Sequence, residues 1–107
     1  YTKIGRQVTV QCSFANFDTT GLNAGEDIRL TGLPYQSHGA STGSAIVNYL
    51  ATTSTDQTNS VYSYLPNNHS HLYIYETRRN AAGLFSNVSA FSSGVTDIYL
   101  THTYFTD

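Results

Sequence analysis

The sequence predicts an all-β fold, an antiparallel β-sandwich of the jelly-roll type with seven or eight short strands. Segment 6–14 alternates strictly between apolar and polar residues, which is the pattern of a half-buried strand. Only 11% of the residues are charged, whereas Thr, Ser, Asn, Gly and Tyr are abundant. This composition suits strands faced with hydroxyls and aromatic rings better than helices. Polar turn clusters recur between short apolar segments, as they do in sandwiches.

Predicted strands alternate with polar connections along the whole chain. The strands are expected, in order, at residues 1–4, 6–14, 27–35, 44–52, 61–65, 70–77, 84–91 and 95–107. Turns or loops are expected at 5–6, 19–27, 36–44, 53–60, 66–69 and 78–83, the last with at most one helical turn. Alternation assigns a predicted core to Val8, Val10, Phe14, Ile28, Leu30, Leu72, Ile74, Ile98 and Leu100.

Length and charge limit the class of protein. A chain of 107 residues corresponds to one domain, and the single cysteine, Cys12, excludes an internal disulfide and is expected in the core. Five Lys or Arg residues and a net charge of −2 provide no basic patch for nucleic acid. No apolar run is long enough for membrane insertion. Because the chain has no Met and opens on strand-like residues, we expect a fragment of a longer protein.

The first third of the chain carries a family resemblance. The segments Tyr1 to Gly5, Val8 to Val10 and Gly32 to Tyr35 resemble the C-terminal domain of tailed-bacteriophage tail fibres and tailspikes. That resemblance implies a β-sandwich domain, residues 1–107, that assembles as a homotrimer near the end of a fibre or spike on the virion. It also implies host attachment through bacterial surface polysaccharide. An alternative within the same family is a non-catalytic trimerisation or carbohydrate-binding cap on a polysaccharide-depolymerising tailspike.

A row of histidines and tyrosines is the main candidate binding site. In a strand, residues i and i+2 share a face, so the row would lie opposite Leu72 and Ile74, which are expected in the core. Aromatic rings can stack on sugars while Asn side chains bond to hydroxyls. The predicted receptor or glycan contacts are Tyr62, Tyr64, Asn67, Asn68, His69, His71, Tyr73 and Tyr75. Packing against a neighbouring subunit is the alternative use of this face.

The pair His69 and His71 also raises the question of a metal site. If their strand lay on a threefold axis, three chains would present six imidazoles, an arrangement suited to a first-row transition metal. The pair lies beside a turn, however, and turns tend to face solvent. We therefore predict no metal and no other cofactor, and keep the two histidines as alternative axial ligands.

Two short patterns in the sequence resemble catalytic motifs, and neither predicts an enzyme. Residues 39–43 match the G-x-S-x-G pattern of a nucleophile elbow, and Asp56, Asp97 and His102 follow Ser41 in the chain. That motif requires a strand-to-helix turn on a mostly parallel sheet, which this short chain cannot provide, so a Ser/Gly loop is predicted instead. The only adjacent acidic residues, Glu26 and Asp27, fall at a loop end, where paired glycosidase carboxylates are not expected.

Overall fold

A computed structural model describes residues 1–23, 25–48, 58–78, 81–86 and 93–107. Within these ranges the chain is all-β and antiparallel, without a helix, which confirms the predicted class. The strands are β1 (Thr2–Ile4), β2 (Gln7–Phe17), β3 (Arg29–Leu30), β4 (Ser41–Asn48), β5 (Thr58–Leu65), β6 (Leu72–Arg78), β7 (Ala81–Phe85) and β8 (Thr96–Phe105). No helix in the described part of the chain is long and apolar enough to cross a membrane.

All eight strands belong to one continuous sheet that curls into a half-barrel. The strand order is β1-β2-β8-β4-β5-β6-β3, and β7 also pairs with β6. Strand β3 pairs with β6 at Leu72 and Tyr73, whereas β7 pairs with it from Tyr75 to Arg78. The two short strands therefore share the far edge of β6. The residue before β3 and the residue after β7 are hydrogen-bonded to each other: the Ile28 amide donates to the Ser86 carbonyl at 3.0 Å.

The core fills the inner face of the curled sheet. It consists of Val8, Val10, Ile28, Leu30, Leu65, Leu72, Ile74, Ile98, Leu100 and Tyr104. Eight of the nine predicted core residues are buried, and the exception is Phe14, which is half-buried and packs against the core. The register between β2 and β8 shifts between Phe14 and Phe17, at Asn16 with φ of 53°. A bulge of this kind bends the strand and takes Phe14 partly out of the core.

Several predicted boundaries differ from the structure. The predicted strand 27–35 contains only the two-residue β3, because Gly32, with φ of 94°, and Pro34 end the pairing. Segment 41–43 lies in β4 and is not a loop, since it pairs with β5. Segment 81–83 lies in β7 and is not a loop or helical turn, since it pairs with β6. The last residues of the predicted loop 53–60 lie in β5, since 58–60 pair with β6. The predicted strand segments 49–52 and 87–91 lie outside the described residues, as do loop residues 53–57.

Candidate functional site

Strands β5 and β6 place four tyrosines side by side on the outer face of the sheet. Tyr62 is directly opposite Tyr75, and Tyr64 is directly opposite Tyr73. Because side chains alternate along a strand, Ser63, Leu65, Leu72 and Ile74 turn inward and are buried. The four tyrosines are half-buried. The predicted common face of the tyrosines therefore exists, with the core on its other side.

The tyrosine rings and Phe85 form a packed aromatic band. Ring centroids lie 5.2 Å apart for Tyr62 and Tyr75 and 5.6 Å apart for Tyr64 and Tyr75. Phe85 lies 4.6 Å from Tyr73, 4.8 Å from Tyr75 and 6.1 Å from Tyr64. These spacings are those of favourable aromatic pairs. We call Tyr62, Tyr64, Tyr73, Tyr75 and Phe85 the aromatic band. Its rings hold one another in place and leave part of each ring accessible.

Burial in the band changes the acidity of Tyr62. The pKa of the Tyr62 phenol is raised, first by burial and then by the neighbouring Tyr75 and Tyr64. Its hydroxyl therefore stays protonated at neutral pH and can donate as well as accept a hydrogen bond. The band thus offers apolar ring surface with neutral hydroxyl groups.

Three nitrogen-bearing side chains gather at the Tyr73 end of the band. The His71 ring lies 5.1 Å from the Tyr73 ring and 4.9 Å from the His69 ring, and its Nε2 atom is 3.1 Å from the Tyr73 hydroxyl. The Arg29 guanidinium carbon lies 5.8 Å from the centre of the Tyr73 ring, a cation–π arrangement. We call Arg29, His69 and His71 the basic end.

A buried serine, Ser37 in the loop between β3 and β4, holds the turn between β5 and β6. The Ser37 hydroxyl donates to the Pro66 carbonyl at 2.6 Å, and its backbone bonds to both His69 and Asn68. The Asn67 side-chain oxygen accepts from the Gly39 amide at 2.7 Å. Hydrogen bonds from the loop between β3 and β4 therefore hold His69 and the turn in place. Of the predicted asparagine contacts, Asn67 has its oxygen engaged within the protein, and Asn68 is exposed.

His69 and His71, kept in the sequence analysis only as alternative axial metal ligands, pack against each other. No group of three or more His, Cys, Asp or Glu side chains that could hold an ion occurs among the described residues. The Nδ1 atom of His69 lies 2.7 Å from the Asn67 carbonyl, and since a carbonyl only accepts, Nδ1 carries the proton. The two imidazoles meet edge to face, with an angle of 81° between their planes. This contact is a ring-packing arrangement.

A second polar cluster lies inside the half-barrel and joins Ser41 to His102. The Ser41 hydroxyl is 2.8 Å from Nε2 of His102, and the Ser63 hydroxyl is 2.7 Å from Nδ1. His102 is fully buried, and burial lowers its pKa to about 4. A Cβ atom on Gly43 would approach Nδ1 of His102 to 2.7 Å, so glycine provides the space for the ring.

The other members of the predicted triad do not join this cluster. Asp97 accepts a hydrogen bond from the Asn16 amide at 2.9 Å, at the far end of β8 from His102. Asp56 lies outside the described residues. Ser41 and His102 meet because β4 and β8 are neighbours in the sheet. The sequence analysis did not predict this contact, and both ring nitrogens of His102 meet serine hydroxyls and not a carboxylate.

Comparisons with protein-family models, with curated proteins and with solved structures find no match for this chain. The interpretation of the site therefore depends on its geometry and on the sequence features described above. Sequence reasoning placed six of the eight side chains of the aromatic band and basic end on one surface. It missed Phe85, which was predicted in a separate strand, and Arg29, whose pairing with Tyr73 joins residues far apart in the chain.

Proposed function

We propose that this domain is a receptor-binding module from the tip of a bacteriophage tail fibre or tailspike, and that the aromatic band binds bacterial surface glycan. The observation that carries the proposal is the band itself: five mutually packed rings, each with accessible surface, on the face of the sheet opposite the core. Proteins do not need such a surface for the stability of one sheet, and patches of this kind mark binding sites.

The chemistry of the band suits a sugar ligand. Tyrosine provides a rigid, flat, apolar surface with a polar tip and loses little side-chain entropy on binding. The apolar face of a pyranose ring can stack on such a surface, while its hydroxyls bond to phenol and amide groups. The exposed Asn68 stands beside the band and can provide an amide. The ligand in this proposal is a surface polysaccharide of the bacterial host.

The resemblance of the first third of the chain supports the biological setting. Segments Tyr1 to Gly5 and Gly32 to Tyr35 carry that resemblance. In this proposal the domain is a homotrimer on the virion, and the two halves of the curled sheet serve as the two layers of the family's sandwich. The module has no catalytic role of its own.

The test measures binding after ring removal. Purified domain is applied to an array of bacterial capsular and O-antigen polysaccharides, and hits are confirmed by calorimetry. Tyr62→Ala and Tyr64→Ala each remove a ring from the band and should weaken binding at least tenfold, as expected for loss of a central aromatic contact. Tyr1→Ala is the matched control, since Tyr1 is 73% exposed before β1, outside the band. Equal binding by all three variants would refute the proposed site.

A second function has its own supporting observation. Ile46 is 64% exposed and is directly opposite Tyr99 in the sheet, and Phe105 is exposed on the same face of β8. Apolar side chains grouped in this way favour a subunit interface. The domain would then be a trimerisation cap of a depolymerising tailspike. Sedimentation equilibrium tests the interface, which Ile46→Ser should dissociate. The glycan array distinguishes the two roles, since a cap that only trimerises should bind no glycan.

A further inference from the structure

The basic end has the geometry of a binding site for a negative charge. Arg29 is exposed on β3, and its guanidinium stands over the ring of Tyr73, the aromatic residue at that end of the band. His71 contacts Tyr73 through both its ring and its Nε2 atom. His69 packs edge to face on His71. Three side chains that can carry a positive charge or donate an N–H group therefore lie around the Tyr73 end of the aromatic band.

No ion pair between a carboxylate and this group occurs within the described residues. The ion pair between His38 and Asp107 lies outside the basic end. Glu26 and Asp27 line a cavity together with Arg29 but form no ion pair with it. The pKa of His71 is lowered first by burial, then by His69 and then by Arg29, so the three groups lie within electrostatic range of one another. An anion at this position would offset the effect of Arg29 and favour protonation of His71.

Lys3 and Arg6, the other cations whose side chains the structure describes, donate hydrogen bonds to backbone carbonyls. The Lys3 ammonium donates to the Gly5 carbonyl at 2.6 Å, and Nε of Arg6 donates to the Thr106 carbonyl at 2.9 Å. Within the described residues, the guanidinium of Arg29 forms neither a hydrogen bond nor an ion pair and lies over the ring of Tyr73. Its five N–H donors form a planar fork that matches a carboxylate or a phosphate. Among the cationic side chains that the structure describes, Arg29 is therefore the one whose donors can meet a ligand beside the aromatic band.

We propose that Arg29, His69 and His71 form an anion subsite, and that the glycan bound by this domain is an acidic polysaccharide whose charged substituent occupies it. This inference rests on the proposed glycan-binding function and adds the chemical class of the ligand. A sugar ring stacks on Tyr73 and its neighbours, and the carboxylate or phosphate it carries accepts hydrogen bonds from the guanidinium. Bound anion also favours the imidazolium form of the histidines, which donates from both nitrogens.

Single-stranded nucleic acid is the other polyanion that uses aromatic stacking. Proteins that bind it line a whole groove with positive charge to follow the phosphate backbone. Here one permanent cation stands at one end of the band, and the net charge of the chain is −2. A single anionic group next to a sugar ring is the better match to one fork-shaped donor.

The test uses matched polymers that differ only in charge. Polygalacturonate and its carboxyl-reduced form, a neutral galactan, are titrated into the purified domain, together with a phosphate-bearing glycerol teichoic acid and a dT oligonucleotide. The acidic polymers should bind roughly ten- to a hundredfold more tightly than the neutral one, as expected for a charged hydrogen-bonded pair. The better of the two identifies the anion as carboxylate or phosphate. Equal binding of acidic and neutral polymers, or stronger binding of the oligonucleotide, would overturn the proposal.

Variants tie the charge preference to the subsite. Arg29→Gln keeps a polar side chain and should abolish the preference for acidic over neutral polymer. Lys3→Gln is the matched control, since Lys3 is an exposed cation on β1, at the opposite end of the strand order. An NMR titration with glucuronate should shift the Arg29 Nε–H and the ring signals of His69 and His71, and glucose should not. Unchanged signals with glucuronate would refute the subsite.

The same experiments separate failure of the subsite from failure of the proposed function. If the domain binds neutral and acidic polymers equally and Tyr62→Ala weakens both, the aromatic band is a glycan site and the anion subsite is wrong. If acidic polymer binds through Arg29 and the tyrosine variants have no effect, the subsite stands and the stacking surface is wrong. If no polymer and no array glycan binds, both proposals are wrong.

Discussion

The ring of Tyr75 lies against the backbone of Gly83 on the neighbouring strand, where a side chain at position 83 would occupy the space of the ring. A Cβ atom built on Gly83 would collide with Cε1 of Tyr75 and approach Cδ1 and Cζ to 2.9 Å. Glycine in a strand commonly marks such a close approach. Tyrosines on β5 and β6 therefore provide most rings of the band. The absence of a side chain at position 83 on β7 leaves room for the Tyr75 ring, which meets the Phe85 ring edge to face.

Gly83→Ala should disturb the aromatic band. The added methyl group forces the Tyr75 ring or the β7 backbone to move, and overpacking of this kind costs about 1–3 kcal/mol. We expect a lower midpoint of urea denaturation, a changed near-ultraviolet circular dichroism spectrum from the tyrosines, and weaker glycan binding.

Gly25→Ala is the matched control for this substitution. A Cβ atom there meets nothing within 4 Å, so its effect on unfolding should remain within about 0.5 kcal/mol. If Gly83→Ala were as harmless as Gly25→Ala, the position of Tyr75 over β7 would be incorrect.

Local sequence patterns predicted the hairpin that carries most of the site. Alternation in β5 and β6 assigned Tyr62, Tyr64, Tyr73 and Tyr75 to one face and Leu72 to the other, because a strand has a period of two. The turn between them was recognisable from its Pro and Asn residues. These are local properties, and tertiary structure did not change them.

The rest of the site depends on contacts between distant parts of the chain. Strand β7 has an Ala-Ala-Gly start with little intrinsic strand preference, and it is held by pairing with β6. Arg29 reaches Tyr73 only because β3 pairs with β6. Alternation identifies which face is buried but not how far a sheet curls, so a sandwich and a half-barrel share one pattern. For the same reason the contact of Ser41 with His102 could not be predicted.

Two isoleucines on different strands of the sheet test the assignment of inner and outer faces. Ile74 is completely buried on β6, whereas Ile46 on β4 is 64% exposed. Ile74→Ala should reduce the free energy of unfolding by about 2–5 kcal/mol, because it leaves a cavity in the core. Ile46→Ala should change it by less than about 0.5 kcal/mol in the monomer. Chemical denaturation of both variants measures the difference, and equal effects would contradict the described faces.

Ser41 should not behave as an activated nucleophile. The bond between Ser41 and Nε2 of His102 resembles half of a catalytic triad, but Nδ1 of His102 meets the Ser63 hydroxyl and not a carboxylate. Without a carboxylate the imidazolium formed during proton transfer is not stabilised. We expect no labelling of the folded domain by a fluorophosphonate reagent. Labelling that disappears in Ser41→Ala would show that the domain has hydrolase chemistry.

The same serine should contribute to stability. Ser41→Ala leaves Nε2 of the buried His102 without its hydroxyl partner, which costs about 1–3 kcal/mol. Ser44→Ala is the matched control three residues along β4, since Ser44 is exposed and its hydroxyl lies 3.4 Å from the Thr101 carbonyl. Urea denaturation of the two variants compares them directly. A larger loss in Ser44→Ala would argue against a structural role for the Ser41–His102 bond.

Burial of His102 should make the domain less stable in acid. Its pKa is lowered to about 4 in the folded protein, whereas an unfolded histidine has a pKa of about 6.5. Between these values the unfolded chain binds the proton and the folded chain does not, so stability falls as the pH falls from about 6.5 to about 4. The full loss is up to about 3 kcal/mol, since one pKa unit corresponds to about 1.4 kcal/mol. Urea denaturation at several pH values between 7.5 and 4.5 measures this slope.

The contribution of His102 is isolated by comparison with His102→Asn, which keeps a polar side chain but cannot be protonated in this range. Asp18, whose pKa is lowered by hydrogen bonds from Thr20 and then from Ser93, also loses stabilisation in acid, but it does so equally in both proteins. Lowering of the His71 pKa, first by burial, likewise cancels in the comparison. The variant should therefore show a shallower slope below pH 6.5. If it does not fold, NMR titration of the His102 ring in the native protein gives the answer: a ring that titrates near 6.5 would contradict its burial between Ser41 and Ser63.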